Sequence, residues 1–374
     1  MKQILIGLAT CAMIFTNCSK VEVVESAQNT DANAIGFSTY SNVATKAPIN
    51  SNSDLQTDGN KFAVTAYINQ SGWDTPYMNN PTLIKYNGTS SKWEYDNAAQ
   101  LRFWPEVSET LDFYAYYPTT ATPTTASKAA GMVWTNYTVP TTEADQIDLL
   151  YENRHGITRN NCETSNNLKL TFKHALTQIN YGARVANNAM TVVFEKLSIH
   201  NVVSNKNFTI YNNSASWSDA TTPALENYES VLSAPLTVPY HATDFTSFDK
   251  VQLLIPQTFT AWDPATTIAA NNSGSKGAYI EMSARISVDI DGKKLYLLGT
   301  DSTFGTLYIP ISSDTSTTGE WVSGKKLTYN IVFGDYGSTP GGAGYDEDGK
   351  HTILPITFET AVTDWTTGTG SIVL

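Results

Sequence analysis

Apolar and polar residues alternate with a period of two along much of the chain. Phe62, Val64, Ala66 and Ile68 share one face of such a stretch, with Lys61, Thr65 and Tyr67 on the other. Leu111, Phe113, Ala115 and Tyr117 repeat the pattern, as do Leu168, Leu170 and Phe172 against Lys169, Thr171 and Lys173. Alternation from Met282 to Ile290 runs into Asp291-Gly292 and then Leu295-Tyr296-Leu297-Leu298. Asp-Gly supplies the positive φ of a type I′ turn, so these two segments are predicted to form a hairpin. Leu327, Tyr329, Ile331 and Phe333 make a further strand. Residues two apart in a strand share a face. Each segment therefore offers one face to a core and one to water, as antiparallel sheets do. No long helical period competes; short helical turns are predicted only within Thr119–Gly131 and Ala242–Phe248. The fold class is all-β, and turn-rich connections point to sandwiches.

The polar break Ala186-Asn187-Asn188-Ala189 separates the strand-like Ile179–Val185 from new alternation starting at Val192. It predicts two β domains, at 34–186 and 190–374, in line with a prior of ~150 residues per domain. Gly334–Gly344 reads as a long loop inside the second, with strand character resuming at Ile353–Ile356.

At the start of the chain, Lys2 precedes the apolar run Ile4–Phe15 and then Thr16-Asn17-Cys18-Ser19. A basic start, a short apolar core and a processing site describe a signal peptide over 1–17, too short for a spanning helix. A cysteine at that point resembles a bacterial lipoprotein signal, in which Cys18 is acylated with palmitate-type chains and becomes the first residue. Each buried methylene contributes ~0.8 kcal/mol, so two chains hold stably. The polar, acidic residues 18–33 then form a tether to a membrane-anchored body. Ordinary secretion with an incidental cysteine is the alternative. Of the three cysteines, Cys11 leaves with the signal and Cys162 stands alone in a polar loop. That leaves no internal disulfide and no cysteine zinc site.

Lys and Arg total 23 against 35 Asp and Glu, a net charge of −12, which opposes binding to a phosphate backbone. With 41% apolar and 16% charged residues the chain is too apolar for wholesale disorder.

Catalytic patterns are missing from the sequence. The histidines, at 155, 174, 200, 241 and 351, include no i, i+4 pair for a metal helix, and no G-x-S-x-G elbow occurs. Gly319–Lys326 is one residue short of a P-loop, puts Lys326 where the magnesium-binding hydroxyl belongs, and leads into a strand instead of a helix. Asp346-Glu347-Asp348-Gly349 lacks the closing Glu of a calcium loop and reads as a solvated acidic turn. His174, at a strand corner, reads as structural. No catalytic residue, metal ligand or cofactor is predicted, and the function is expected to be non-enzymatic. Among eight tryptophans, Trp73 and Trp93 lie in polar surroundings and are the candidates for exposure as sugar platforms; the others belong in cores.

Several stretches together resemble the fimbrillin family of Bacteroidales surface proteins, the subunits and relatives of type V pili. They are Ile35-Gly36-Phe37-Ser38-Thr39-Tyr40 with Ala44-Thr45-Lys46-Ala47; Phe103-Trp104-Pro105 with Leu111–Pro118; Leu170–Leu176; Leu254-Ile255-Pro256-Gln257-Thr258; Trp321–Tyr329; Gly344–Gly349; and Val362-Thr363-Asp364-Trp365. The resemblance implies two transthyretin-like antiparallel β-sandwich domains in tandem. It also implies a lipid-anchored, surface-exposed place on the outer membrane, in a fimbrium. In that family a protease removes the first strand, and a segment of another pilus subunit fills the groove by donor-strand exchange. Carried onto this chain, the removable strand is Ile35, Gly36, Phe37, Ser38, Thr39, Tyr40 and Ser41, and the processing site is the Lys46–Ala47 bond. Lys46 departs from the Arg usual before the cut. Ile35, Phe37 and Thr39 are expected to face the core, with Gly36, Ser38 and Tyr40 outward. An open edge presents unpaired N–H and C=O groups that an incoming strand satisfies. The resemblance admits stalk, tip and anchor roles, and Gly370–Leu374 either pairs at home or is donated. The alternatives are that Ile35–Ser41 is a permanent first strand, or that the chain is a non-polymerising surface lipoprotein binding host or bacterial glycans through exposed aromatics.

Overall fold

The structure is a computed structural model, and it describes residues 33–41, 52–106, 108–162, 167–311, 318–334, 344–350, 356–365 and 372–373. The alternating segments are strands. In chain order the first group is β1 (Gly36–Ser41), β2 (Lys61–Ile68), β3 (Met78–Asn87), β4 (Lys92–Tyr95) and β5 (Leu111–Tyr117). Then come β6 (Thr125–Ser127), β7 (Gly131–Thr138), β8 (Leu150–Ile157) and β9 (Asn167–His174). The second group starts with β10 (Thr177–Val185), β11 (Met190–Val203), β12 (Asn205–Tyr211), β13 (Ser214–Asp219), β14 (Leu225–Val238) and β15 (Thr246–Leu254). It continues with β16 (Gln257–Thr260), β17 (Tyr279–Ile290), β18 (Lys293–Leu298), β19 (Gly305–Pro310), β20 (Thr318–Trp321), β21 (Lys325–Phe333), β22 (Ile356–Asp364) and β23 (Ile372–Val373). Among the described residues the α-helices are two short pieces, α1 (Asn52–Leu55) and α2 (Ile268–Ser273). The helical turns expected in Thr119–Gly131 and Ala242–Phe248 do not form; strand β6 and the start of β15 occupy those stretches.

The predicted hairpin is β17–β18. Asp291 and Gly292 have φ of 53° and 74°, the two positive values that a type I′ turn demands.

In the first lobe a seven-stranded sheet runs β1-β9-β8-β5-β2-β3-β4. Its inner face carries Phe62, Val64 and Ile68 of β2, Phe113 of β5, and Leu168, Leu170 and Phe172 of β9, all buried in one core. The opposite face was expected to meet water; on β9 Lys169 and Lys173 do so, but over β2 and β5 the face is covered. Tyr67, Tyr114 and Tyr116 are buried there against Met132, Trp134, Phe208 and Ile210. The cover is a second sheet, β13-β12-β7-β6, half of which comes from residues 205–219. Tyrosine rings bury apolar area on this face, although the Tyr67 hydroxyl is buried there without a hydrogen-bond partner.

The second lobe packs the sheet β15-β10-β21-β22-β23 against β14-β11-β17-β18, with β19 also on β17. Inward residues follow the period of two: Ile179, Tyr181, Ala183 and Val185 of β10, Ile280, Met282, Ala284 and Ile286 of β17, and Leu327, Tyr329, Ile331 and Phe333 of β21. Strand Thr177–Val185, placed by the sequence at the end of the first domain, hydrogen-bonds instead to β15 and β21 in this lobe. The hairpin β12–β13, placed in the second domain, lies on the first lobe. The cores change over between His174 and Thr177, because β10 carries its own apolar face straight into the second core.

Two ladders, β1–β9 and β10–β21, run parallel among otherwise antiparallel neighbours. Parallel partners need a long crossover. Here β1 and β9 are the first and last strands of the first group, and everything between them serves as the connection.

Candidate functional site

β1 is a terminal strand of its sheet, paired on one side only with β9 from Gly36↔Asn167 to Ser41↔Phe172. The sheet curls so that its other terminal strand, β4, comes close to β1 without pairing to it. Ile35, Phe37 and Thr39 are 0%, 5% and 6% exposed, so the alternate residues of this edge strand plug the lobe's interior. Phe37 sits among three rings in edge-on contact, Phe62 at 6.0 Å, Tyr95 at 6.1 Å and Phe113 at 6.4 Å between centroids. Trp93 Nε1 donates to Thr39 Oγ1 at 2.8 Å, and Tyr95 OH donates to the Ile35 carbonyl at 3.1 Å. Burial raises the pKa of the Tyr95 phenol, so it stays protonated and able to donate. Ser38 is half-buried, and Gly36 is itself buried although its position alternates outward.

The N-terminal end of the strand is gripped from its outer side as well. Ile35 N donates to the Arg102 carbonyl at 2.9 Å, Trp104 N donates to the Asn33 carbonyl at 2.9 Å, and the Arg159 guanidinium reaches Asn33 Oδ1. This clamp fixes register by backbone contacts. Beyond it, the strand is held by one ladder and by its buried side chains. Ile35 and Phe37 contribute ~1.5–3 kcal/mol each by burial, and each ladder hydrogen bond ~0.5–1.5 kcal/mol.

Ile35 to Thr39 thus come together with aromatic residues of β2, β4 and β5. Tyr40 and Ser41 continue the ladder with β9. Cys18, Lys46 and Ala47 lie outside the described residues. Trp93, expected at the surface, is 5% exposed and is a wall of the groove. The signal for it was present, since Lys92, Trp93, Glu94 and Tyr95 alternate by two. Trp73 is 44% exposed, as expected. Its loop is held by Lys128 Nζ, which donates to the Gln70 and Trp73 carbonyls at 2.8 and 3.2 Å.

The other sequence candidates are structural. His174 Nδ1 lies 3.0 Å from both Asp148 carboxylate oxygens, and its ring is 4% exposed beneath Trp365. Asp346 Oδ1 accepts from the amides of Asp348 and Lys350, closing its own turn. Gly324, with φ 68°, turns the chain from β20 into β21 where the P-loop-like residues lie. Among the described residues no group of three or more His, Cys, Asp or Glu is placed to hold a metal. No helix there is long and apolar enough to cross a membrane.

The sequence and the all-β fold of stacked sheets both match a known class. The chain belongs to the fimbrillin-like family, whose model matches residues 45–365. This is a family of structural fimbrial proteins. A fimbrium subunit of Phocaeicola vulgatus, Fim1C, is 30% identical over 196 residues, covering 48% of this chain and 50% of that protein. The chain therefore spans about half the length of that curated relative. The crystal structure of a fimbrial protein from Bacteroides vulgatus superposes with a TM-score of 0.56 at 18% identity, over 89% of this chain and 100% of the other, and shows the same fold.

Proposed function

We propose that this chain is a structural subunit of a cell-surface pilus that joins its neighbours by strand exchange. After removal of residues 1–17, acylated Cys18 anchors the chain in the outer membrane through the tether 18–33. A cut between Lys46 and Ala47 separates β1 from the body. An extended segment of another pilus subunit then takes its place beside β9. The observation that carries this reading is the seating of β1. It is an edge strand whose inward residues fill a groove lined by Phe62, Trp93, Tyr95 and Phe113, and without it those rings face water. An open edge over such a floor is a strong acceptor for a new strand. The family match covers residues 45–365, beginning next to the proposed cut, and does not include β1. β23, laid on the edge of β22 through Ala361↔Val373 and Val362↔Ile372, is the segment this reading offers to the next subunit.

Mass spectrometry of subunits released from purified pili tests the proposal. Chains beginning at Ala47, in ladders that resist SDS, are the expected result. Assembled chains that still carry Ile35–Ser41 contradict it.

Exposed Trp73 on its pinned loop favours a second reading, in which the chain binds glycans as a monomer. Retention on a polysaccharide array that is lost in Trp73→Ala, with no polymer on cells, supports that reading.

A further inference from the structure

We infer that the groove under β1 selects its incoming strand by side chain: large apolar residues at two alternate positions, then a serine or threonine whose hydroxyl accepts from Trp93 Nε1. The inference rests on the strand-exchange reading and names the chemistry of the partner, a strand of another subunit.

The backbone clamp makes such selection possible. Tyr95 OH and the Arg102 carbonyl bind the carbonyl and amide of residue 35, groups that every incoming strand also owns. They set register without reading sequence. With register fixed there, the second residue along falls in the Phe37 cage and the fourth falls opposite Trp93.

Each of those two places is specific for a physical reason. The cage presents ring edges on three sides at 6.0 to 6.4 Å, so a small side chain leaves a void that the rigid sheets cannot collapse to fill. Trp93 is 5% exposed, and its indole nitrogen is a donor with no acceptor capacity. An apolar side chain at the Thr39 place buries that N–H without a partner, which is costlier than the hydrogen bond itself is favourable. A hydroxyl on a short side chain satisfies it from the place where Thr39 Oγ1 stands, 2.8 Å away.

The test uses the full chain with a specific protease sequence replacing residues 44–49. After cutting, fluorescent peptides spanning residues 33–41 compete for the groove. The native peptide and its Thr39→Ser form are expected to bind within about threefold of each other. Thr39→Val and Phe37→Ala peptides are expected to bind roughly tenfold or more weakly. In the Trp93→Phe chain, which keeps a ring and loses the donor, the preference for Thr over Val is expected to vanish. If every peptide enters equally well, or if the preference survives Trp93→Phe, selection is overturned while strand exchange stands. If no peptide displaces β1 from the cut chain, the exchange reading falls and this inference falls with it.

Discussion

The imidazole of His174 lies flat on the indole of Trp365, ring centres 3.8 Å apart and planes within 6°. His174 ends β9 of the first lobe, and Trp365 follows β22 of the second. The stack is a bolt between the two. Around it, the Ala175 carbonyl accepts from Trp217 Nε1 at 2.9 Å and from Ser323 Oγ at 3.0 Å. Gly324 N donates to the Leu176 carbonyl, and Trp365 N donates to the Gly324 carbonyl. The residues after Trp365 lead to β23, so this bolt is also the fixed end of the segment proposed for donation.

Trp365→Ala is expected to lower stability by about 3–5 kcal/mol, the usual cost of emptying a buried tryptophan site. Urea unfolding measures it, and separation into two transitions would show the lobes uncoupling. Trp365→Phe is expected to cost much less. It keeps a ring over His174 and removes a buried Nε1 that has no hydrogen-bond partner.

Phe37→Ala is expected to loosen β1 specifically. The lost cage contacts amount to about 3–5 kcal/mol. Because β1 is held on one edge, the loss should appear as faster hydrogen exchange at residues 36–41 before it appears elsewhere. Ser38→Ala, on the half-buried side of the same strand, should leave exchange there within about twofold, since such a change is worth ~0.5 kcal/mol or less.

Acid is expected to weaken the second lobe through His200. Burial first, and then the charge of Lys196, lower its pKa to about 4. The Glu281 carboxylate is 3.3 Å from Nε2 but outside hydrogen-bonding geometry, so it does not rescue the charged form. Between about pH 6.5 and pH 4 the unfolded chain binds a proton that the folded one refuses, so stability falls with pH across that window and levels off below it. The contribution is about 3 kcal/mol. Denaturation midpoints from pH 7 to 4 should drop more steeply in the native chain than in His200→Phe, which keeps a ring against Tyr279.

What the sequence revealed, and what it hid, follows from the range of the interactions. Strand alternation is local, so, while the inward set Ile35, Phe37 and Thr39 came from the family resemblance, the β17–β18 turn and most strands could be read directly. The burial of Tyr67 and Tyr114 could not, because the sheet covering them includes β12–β13, more than eighty residues away in the chain. Trp93 misled for a related reason. Its neighbours are polar, and its partner Thr39 lies 54 positions earlier. The place of β10 in the second lobe was hidden too, since its parallel partner β21 begins at Lys325.

The most direct measurement locks β1 in place. Ser38 and Lys169 are paired across the β1–β9 ladder, on the side away from the core. In a Ser38→Cys, Lys169→Cys chain, oxidised and displayed on cells, the account predicts that the subunit is exported and folded but absent from SDS-resistant polymers, and that reduction restores it to them. Polymers that form equally well with the disulfide closed would contradict it.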